Sequence, residues 1–241
     1  MEQTWKERTG LVLGEDGMAR LERAHVAVFG LGGVGSACAE ALVRAGVGSL
    51  TLFDADRVNE SNLNRQLIAL RSTVGMEKTE ACRRRYLDIN PALRLTLHTV
   101  FYDGRTAADY PLDGYSFVVD AIDTVSSKLL IIENARRAGV PVISCMGTGN
   151  KLRPDLLEAA DISKTTVCPL ARVMRRELRK RGIAHLPVVY SREEPLRAVA
   201  DDRHGRHAPG SISFVPPAAG YLLASRVVLA LCAGAGNDLA D

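Results

Sequence analysis

Short apolar runs alternate with longer, mixed segments along the chain as far as about Ser144. Runs of this length that are rich in Val, Leu, Ile and Phe are typical of buried strands, whereas the mixed segments have the length of helices. Strands that alternate with helices pair in parallel, so the pattern predicts an α/β fold with a Rossmann-like, open, mostly parallel sheet and helices on both faces. The predicted strands are residues 25–29, 49–53, 93–100, 117–120 and 140–144.

The pattern becomes irregular after Gly147, which predicts a C-terminal extension. Residues 190–210 are rich in charge and poor in apolar side chains, as is typical of a mobile loop over a site. Residues 211–215 are predicted to form a returning strand, and residues 217–233 a closing helix. Arg226 interrupts the apolar run of that helix, and the remaining segment is too short for a bilayer. We therefore expect a core or dimer-interface helix and no membrane span.

A glycine-rich segment, GLGGVG at residues 30–35, follows the first predicted strand and opens a predicted helix. The first glycine permits a tight turn, the second lets a phosphate approach bare backbone, and the last lets the helix pack closely on the strand. Asp54 ends the second predicted strand about 20 residues further on, where a Rossmann-type fold places the carboxylate that binds a ribose hydroxyl. Together these features predict a nucleotide site whose candidate glycines are Gly30, Gly32, Gly33 and Gly35.

The polar residues that follow Asp54 bear on which nucleotide is bound. A pyrophosphate is largely bound by a helix N-terminus, whereas a triphosphate needs further donors such as Arg and Lys. A cluster of such donors therefore favours ATP over a nicotinamide dinucleotide, and the GxxxxGK[ST] sequence of a P-loop is absent. The cluster contains asparagines, Arg65 and Gln66 within residues 59–66, and Lys78 follows near the start of the next predicted helix.

Two carboxylates lie at the end of the fourth predicted strand. Ligands of open α/β sheets bind beyond the carboxyl ends of the strands, so both carboxylates would face the crevice of the glycine loop. Asp123 lies in the loop and is the candidate for holding Mg²⁺ beside substrate phosphates. Asp120, the last residue of the strand, is expected to accept hydrogen bonds from N–H groups of the next helix.

These motifs resemble those of the E1-like activating enzymes, the group that includes ThiF, MoeB and HesA. The resemblance runs nearly from end to end and includes SNLNRQ at residues 61–66, VGMEK at 74–78 and FVPPAAG at 214–220. It implies that the protein binds ATP and Mg²⁺ and adenylates a carboxylate, with Asp54 at the ribose and Asp123 at the metal. It places Asn62, Arg65 and Lys78 at the phosphates, with Gln66 beside them. The residues that it makes catalytic are Arg8, Arg65, Lys78 and Asp123.

The N-terminal segment and the cysteines refine this resemblance. In the family, an arginine near the N-terminus reaches the triphosphate of the other subunit, and Arg8 occupies the matching place. The resemblance therefore implies a homodimer in which Arg8 completes the partner's ATP site. Members that activate sulfur-carrier proteins commonly hold zinc through two CxxC pairs. The 5 cysteines here contain no such pair, so no zinc site is expected.

Within the family, the sequence resembles the tRNA threonylcarbamoyladenosine dehydratases. It shares their RTxxxxG opening at residues 8–14 and a basic helix at 169–182. The implied function is ATP-dependent dehydration, a cyclisation, of N6-threonylcarbamoyladenosine next to the tRNA anticodon, through adenylation of the threonyl carboxylate. Ring closure is then intramolecular and needs no protein nucleophile, so Cys168 is expected to be non-nucleophilic.

Three alternatives remain at this stage. One is adenylation of the C-terminus of a ubiquitin-like sulfur-carrier protein. Another is an NAD(P)-dependent oxidoreductase, which would leave the phosphate-binding cluster unexplained. The third is a partner in a sulfur relay, in which Cys145 or Cys168 would carry a persulfide. His204 and His207 are expected to face solvent and not to bind a metal.

Composition agrees with this interpretation. A chain of 241 residues that is 46% hydrophobic can form one substantial core, and we expect a single domain over residues 1–241. Its nucleotide-binding core would cover about 20–150 and its substrate-facing part about 151–241.

The cysteines and the charge bear on location and partners. Scattered cysteines and the absence of a recognisable signal peptide favour a cytoplasmic location. The net charge of +3 does not by itself indicate RNA. At helical spacing, however, four arginines share one face that could follow a phosphate backbone: Arg172, Arg175, Arg176 and Arg179.

Overall fold

The computed structural model describes residues 5–196 and 209–233. Within them the strands are β1 (His25–Phe29), β2 (Ser49–Phe53), β3 (Arg94–His98), β4 (Phe117–Asp120), β5 (Val142–Cys145), β6 (Leu157–Asp161) and β7 (Pro187–Ser191). The α-helices are α1 (Glu7–Arg23), α2 (Gly35–Ala45), α3 (Lys78–Ile89), α4 (Val125–Arg137), α5 (Pro169–Arg179) and α6 (Val215–Ala233). The seven strands form one sheet in the order β3-β2-β1-β4-β5-β7-β6. All pairs are parallel except that of β6 with β7.

The predicted α/β class and mostly parallel sheet are confirmed. Three predicted strands, at residues 25–29, 49–53 and 117–120, have the observed bounds. The third predicted strand is shorter than expected, and the fifth is displaced by one or two residues. Central strands such as β2 and β4 are buried along their whole length, which is why they are continuous apolar runs in the sequence.

Two predictions for the C-terminal part are wrong. Residues 211–214 form no strand, and α6 begins at Val215. Pro216 and Pro217 explain the difference, because proline lacks an N–H for a ladder but fits the first turn of a helix. The predicted loop at 190–210 starts too early, since Tyr190 belongs to β7. Its residues 197–208, which include the two histidines expected to face solvent, lie outside the described residues.

Helices cover both faces of the sheet. On one face α1, α2, α3 and α6 pack around a core that includes Leu42 and Leu223. On the other face α4 and α5 pack around a core that includes Ile131 and Met174. The chain changes face between β3 and β4, and β4 lies beside β1. A doubly wound sheet opens a crevice at such a switch point, beyond the carboxyl ends of β1 and β4.

Helix α6 is the one described helix whose length and apolar composition would suit a membrane span. In the fold it packs against α2 and α1. Its buried residues follow helical spacing, with Ala219, Leu223 and Val227 facing the core. Gly220 allows the closest approach, because a Cβ there would lie 2.3 Å from the Val34 carbonyl oxygen at the start of α2.

Candidate nucleotide-binding site

The carboxyl ends of the strands surround a cavity of about 700 Å³. Its lining brings together side chains from separate segments of the chain. Two of the predicted residues, Gly35 and Arg8, are not part of this lining among the described residues. The predicted residues that line the cavity are Gly30, Gly32, Gly33, Asp54, Asn62, Arg65, Gln66, Lys78 and Asp123.

The glycine loop has the shape that its sequence requires. Gly30 has φ +86°, and a Cβ there would lie 2.8 Å from the Ala121 carbonyl oxygen. A Cβ at Gly35 would lie 1.7 Å from the Gly30 carbonyl oxygen, so no larger residue fits. At Gly32 the nearest side-chain atom, Nε2 of Gln66, would be 3.8 Å away. Gly32 therefore leaves room on the cavity side, as a backbone cradle for phosphate would.

Asp54 is tied to the glycine loop. Its Oδ2 accepts a hydrogen bond from the Leu31 N–H at 2.6 Å, and its Oδ1 accepts one from the Asp56 N–H at 2.8 Å. Burial raises the pKa of Asp54, while the Lys78 ammonium and these two N–H donors oppose that rise. The end of β2 and the start of the loop after β1 are thereby fixed to each other.

Lys78 is buried at the first position of α3. Its Nζ lies 2.6 Å from Asp56 Oδ2 and 3.7 Å from Asp54 Oδ1. The Lys78 N–H donates to the Asp56 carbonyl oxygen at 3.0 Å, and this bond places the start of the helix. A fixed ammonium group therefore lies on the cavity wall beside the carboxylate predicted to bind ribose.

Arg65 and Gln66 lie against the glycine loop, since a Cβ at Gly33 would be 3.4 Å from Arg65 Cγ and one at Gly32 would be 3.8 Å from Gln66 Nε2. The Arg65 guanidinium donates to the Ser61 carbonyl oxygen at 2.9 Å and to Asn64 Oδ1 at 2.8 Å. No ion pair of this guanidinium occurs among the described residues. Gln66 is buried, and its Oε1 has no hydrogen-bond partner in the described part of the chain. The Arg65 guanidinium therefore retains N–H groups that could donate to a ligand in the cavity.

A buried ion pair beneath the site was missed by the sequence interpretation. Lys128 Nζ lies 2.8 Å from Asp120 Oδ2, and both side chains are 0% exposed. Asp120 was expected to accept hydrogen bonds from N–H groups of the next helix, but the backbone N–H that donates to it, at 3.3 Å, is that of Ile122 in the loop before α4. Lys128 also donates to the carbonyl oxygens of Ile122 and Cys145, so it joins the ends of β4 and β5. The feature of the sequence that could have indicated this ion pair is a single lysine directly before the apolar run at 129–132.

Asp123 is exposed at the rim and lines the cavity. Its Oδ1 accepts a hydrogen bond from the Thr124 hydroxyl at 3.4 Å. The described residues contain no group of three His, Cys, Asp or Glu side chains that could hold a metal by themselves. A single carboxylate facing a phosphate site still fits Mg²⁺, which commonly binds one or two carboxylates together with phosphate oxygens and water.

The far wall of the cavity contains Cys145, Lys151 and Cys168. Burial raises the pKa of the Cys145 thiol to about 12, which disfavours a thiolate there. Lys151 is buried, and its Nζ donates to the Glu193 carbonyl oxygen at 2.5 Å. Burial also lowers the pKa of Lys151.

The basic helix differs from its predicted arrangement. Arg175 turns inward, where its Nη1 donates to the carbonyl oxygens of Ile162 and Thr165. Arg176 pairs with Glu177 at 3.2 Å. The four arginines therefore do not form one free face, because the hydrogen bonds of Arg175 anchor α5 to the loop before it.

The place of the cavity, at the switch point of a doubly wound sheet, defines a nucleotide-binding protein of the Rossmann-like α/β class. The sequence also matches the model of the ThiF family over residues 7–232. The chain belongs to this family, as its motifs predicted.

Curated relatives and solved structures extend the comparison. The chain is 39% identical over 236 residues to the tRNA threonylcarbamoyladenosine dehydratase of Bacillus subtilis (strain 168), covering 93% of each chain. It is 40% identical over 178 residues to the enzyme of the same name from Escherichia coli (strain K12), covering 73% of this chain and 66% of that one. A crystal structure of the E. coli dehydratase in complex with ATP superimposes with a TM-score of 0.86 at 34% identity and covers 96% of each chain.

Proposed function

We propose that this protein catalyses the ATP-dependent dehydration of N6-threonylcarbamoyladenosine in tRNA. The observation that carries the proposal is the cavity, where a glycine cradle, a buried carboxylate and fixed cations meet, in a chain similar along 93% of its length to a named dehydratase. ATP fits this cavity because Gly32 leaves room for phosphate and because the Lys78 ammonium on the cavity wall can bind its negative charge.

In the first step, an oxygen of the threonyl carboxylate attacks the α-phosphorus of ATP. The bond from this phosphorus to the bridging oxygen breaks, and pyrophosphate leaves. Asp54 orients the ribose, while Lys78 and Arg65 stabilise negative charge on the phosphate oxygens. Asp123 would hold Mg²⁺, which would neutralise further negative charge on the phosphates when bound.

In the second step, a nitrogen or oxygen of the carbamoyl group attacks the activated acyl carbon. The acyl–phosphate bond breaks, AMP leaves with its electron pair, and the attacking group loses its proton to solvent. The net change in the nucleoside is the loss of one water. The reacting atoms belong to one substituent, so the enzyme supplies positioning and no covalent intermediate with Cys168 is needed.

The proposal is tested by mass spectrometry of nucleosides from threonylcarbamoyl-modified tRNA after incubation with the protein and Mg·ATP. We expect a product lighter by one water that requires ATP. Arg65→Ala and Asp123→Ala should each slow its formation about tenfold or more, because each removes charge stabilisation at the phosphates. Arg57→Ala is the matched control, since Arg57 is an exposed arginine paired with Glu77 outside the cavity lining.

Two results would contradict the proposal. The tRNA could stay unchanged while pyrophosphate exchange proceeds with the C-terminus of a sulfur-carrier protein, in which case the activated carboxylate is a different one. Alternatively, the tRNA could stay unchanged while the protein binds NAD(P) and not Mg·ATP, and this result would exclude adenylation as the reaction of this protein.

The assembly that we propose is a homodimer in which Arg8 reaches the ATP of the partner subunit. Arg8 is exposed on α1 and outside the cavity lining of its own subunit. The same helix carries Leu11 and Val12, which are 83% and 82% exposed. Helix α6, which packs against α1, exposes Tyr221 and Leu229. Exposed apolar side chains on neighbouring helices support a face that a second copy covers.

Subunit mixing tests this arrangement. Arg8→Ala and Arg65→Ala should each retain about a tenth of wild-type activity or less alone, but their mixture should recover about a quarter of wild-type activity. When equimolar subunits exchange at random, half of the dimers are heterodimers of the two variants. Each heterodimer contains one intact site if Arg8 acts across the interface. Mixing Arg65→Ala with Lys78→Ala should restore nothing, because both residues belong to the same subunit's site. No recovery in the first mixture would show that Arg8 does not act on the partner's site.

A further inference from the structure

The strap, a segment without helix or strand at residues 209–214, borders the cavity and leads into α6. At its first residue it touches the loop after β5, since a Cβ at Gly149 would lie 2.7 Å from Pro209 Cβ. Just beyond its last residue the chain touches the loop after β1, since a Cβ at Gly33 would lie 2.9 Å from Pro216 Cβ. The strap therefore connects two walls of the cavity that the strand order separates by β4.

Asn150 fixes the first part of the strap. Its N–H donates to the Gly210 carbonyl oxygen at 2.8 Å, and its side-chain Oδ1 accepts the Gly210 N–H at 2.6 Å. Asn150 is itself held, because its carbonyl oxygen accepts the Leu196 N–H at 2.7 Å. Its φ of +56° lies in the left-handed region, which asparagine adopts more readily than most residues do. One residue in the loop after β5 thus binds both main-chain polar groups of Gly210.

Asn64 holds the next residue of the strap and connects it to the site. Its Nδ2 donates to the Ser211 carbonyl oxygen at 2.9 Å, and its Oδ1 accepts a hydrogen bond from Arg65 Nη1 at 2.8 Å. A guanidinium can only donate and a carbonyl oxygen can only accept, so the amide has one orientation that satisfies both partners. Because Ser211 directly follows the residue that Asn150 holds, the contacts reach from there to the Arg65 guanidinium.

The Arg65 side chain is one that benefits from being held. Arginine has a long side chain, and ordering it costs free energy unless the fold orders it before a ligand binds. The Arg65 guanidinium also donates to the Ser61 carbonyl oxygen at 2.9 Å, which lies in the same short segment. The hydrogen bond of Asn64 to the strap links this group to a distant part of the chain. A guanidinium whose donors are already placed loses less freedom when it binds phosphate.

We propose that Asn64 and Asn150 are positioning residues, which hold the strap and through it place the Arg65 guanidinium for binding the phosphates of ATP. This inference rests on the ATP site of the proposed function, but it does not depend on which carboxylate is activated. Neither asparagine is assigned a contact with ATP. The loop after β5 thereby contributes to nucleotide binding, although β4 separates it from the glycine loop.

Direct titration with Mg·ATP tests the proposal. Asn150→Gly removes Oδ1 but permits a φ of +56°, so it deletes one hydrogen bond without backbone strain. The Kd should rise about fivefold, as expected for the loss of one hydrogen bond. In an Arg65→Ala background the same change should alter the Kd by less than about twofold, because no guanidinium remains to be placed. Arg57→Ala is the matched background, since Arg57 lies outside the cavity lining, and there the fivefold rise should persist.

Asn64→Ala repeats the test at an exposed residue outside the cavity lining, whose truncation should leave the fold intact. Its Kd for Mg·ATP should also rise about fivefold, and the rise should again disappear in the Arg65→Ala background. Combining Asn64→Ala with Asn150→Gly should cost little more than either change alone, because both act through the same guanidinium. This variant decides the question if Asn150→Gly does not fold.

Equal losses in the Arg65→Ala and Arg57→Ala backgrounds would overturn the proposal, because the asparagines would then act without Arg65. An unchanged Kd in both asparagine variants, or in Arg65→Ala itself, would overturn it as well. Wild-type protein that binds Mg·ATP but leaves modified tRNA unchanged would contradict the proposed function alone. No binding of Mg·ATP by wild-type protein would overturn both.

Discussion

Replacing Lys78 with alanine is expected to lower kcat/KM for ATP-dependent dehydration by about 10² to 10³-fold. The ammonium group of Lys78 is buried, and it lies on the cavity wall within 3.7 Å of Asp54 Oδ1. Its removal takes away charge stabilisation at the phosphates. It also removes the positive charge that opposes the burial-driven rise in the pKa of Asp54. The measurement is the initial rate of pyrophosphate release with modified tRNA at several ATP concentrations.

A purely structural role for Lys78 predicts a different result. In that case the activity of Lys78→Ala would follow its folded fraction, and full activity would return at a temperature where the variant is folded. Lys164→Ala provides the comparison, because Lys164 is an exposed lysine outside the cavity lining and its loss should change the rate by less than about twofold. A Lys78→Ala variant that is folded and turns over at the wild-type rate would exclude the proposed role.

The Lys128→Met variant is expected to lose about 3–5 kcal/mol of unfolding free energy. Methionine fits the length of the lysine side chain but leaves the Asp120 carboxylate buried without its cation. The carbonyl oxygens of Ile122 and Cys145 lose a donor at the same time. Urea denaturation followed by circular dichroism measures the change.

The double variant Asp120→Asn/Lys128→Met is the control for this loss. Its destabilisation should be smaller than the sum of the two single changes, because it contains no unpaired buried charge. A loss below about 1 kcal/mol in Lys128→Met would indicate that water or another group satisfies Asp120, and that the ion pair does not stabilise the fold.

The shape of the glycine loop could be predicted from sequence because its requirements are local. A tight turn, a close strand–helix contact and a free backbone each demand glycine at a fixed spacing, as at Gly30 and Gly35. Arg65 and Lys78 were predicted from their charges and from their place after the carboxylate at the end of β2; both line the cavity, and their role at a triphosphate stays a prediction. The structure adds what spacing does not show, namely that Asp54 also accepts the Leu31 N–H.

The remaining features depend on contacts between distant parts of the chain. The pairing of Asp120 with Lys128 requires β4, α4 and β5 to be packed together, and no local pattern specifies it. The antiparallel strands β6 and β7 were missed because they pair across a helix and several turns. Residues 211–214 alternate polar and apolar positions as a strand does, but the prolines at 216 and 217 favour the first turn of α6.

The close contact of Gly220 with the start of α2 bears on attempts to transplant this nucleotide site. The glycine loop is encoded near residue 30, yet the helix that follows it rests against α6, which comes almost two hundred residues later. A fragment that contained the first five strands alone would expose the apolar side of α2 and leave its first turn unsupported. The phosphate cradle is therefore a property of the whole fold, and grafting its glycine motif into another scaffold would also require a substitute for α6.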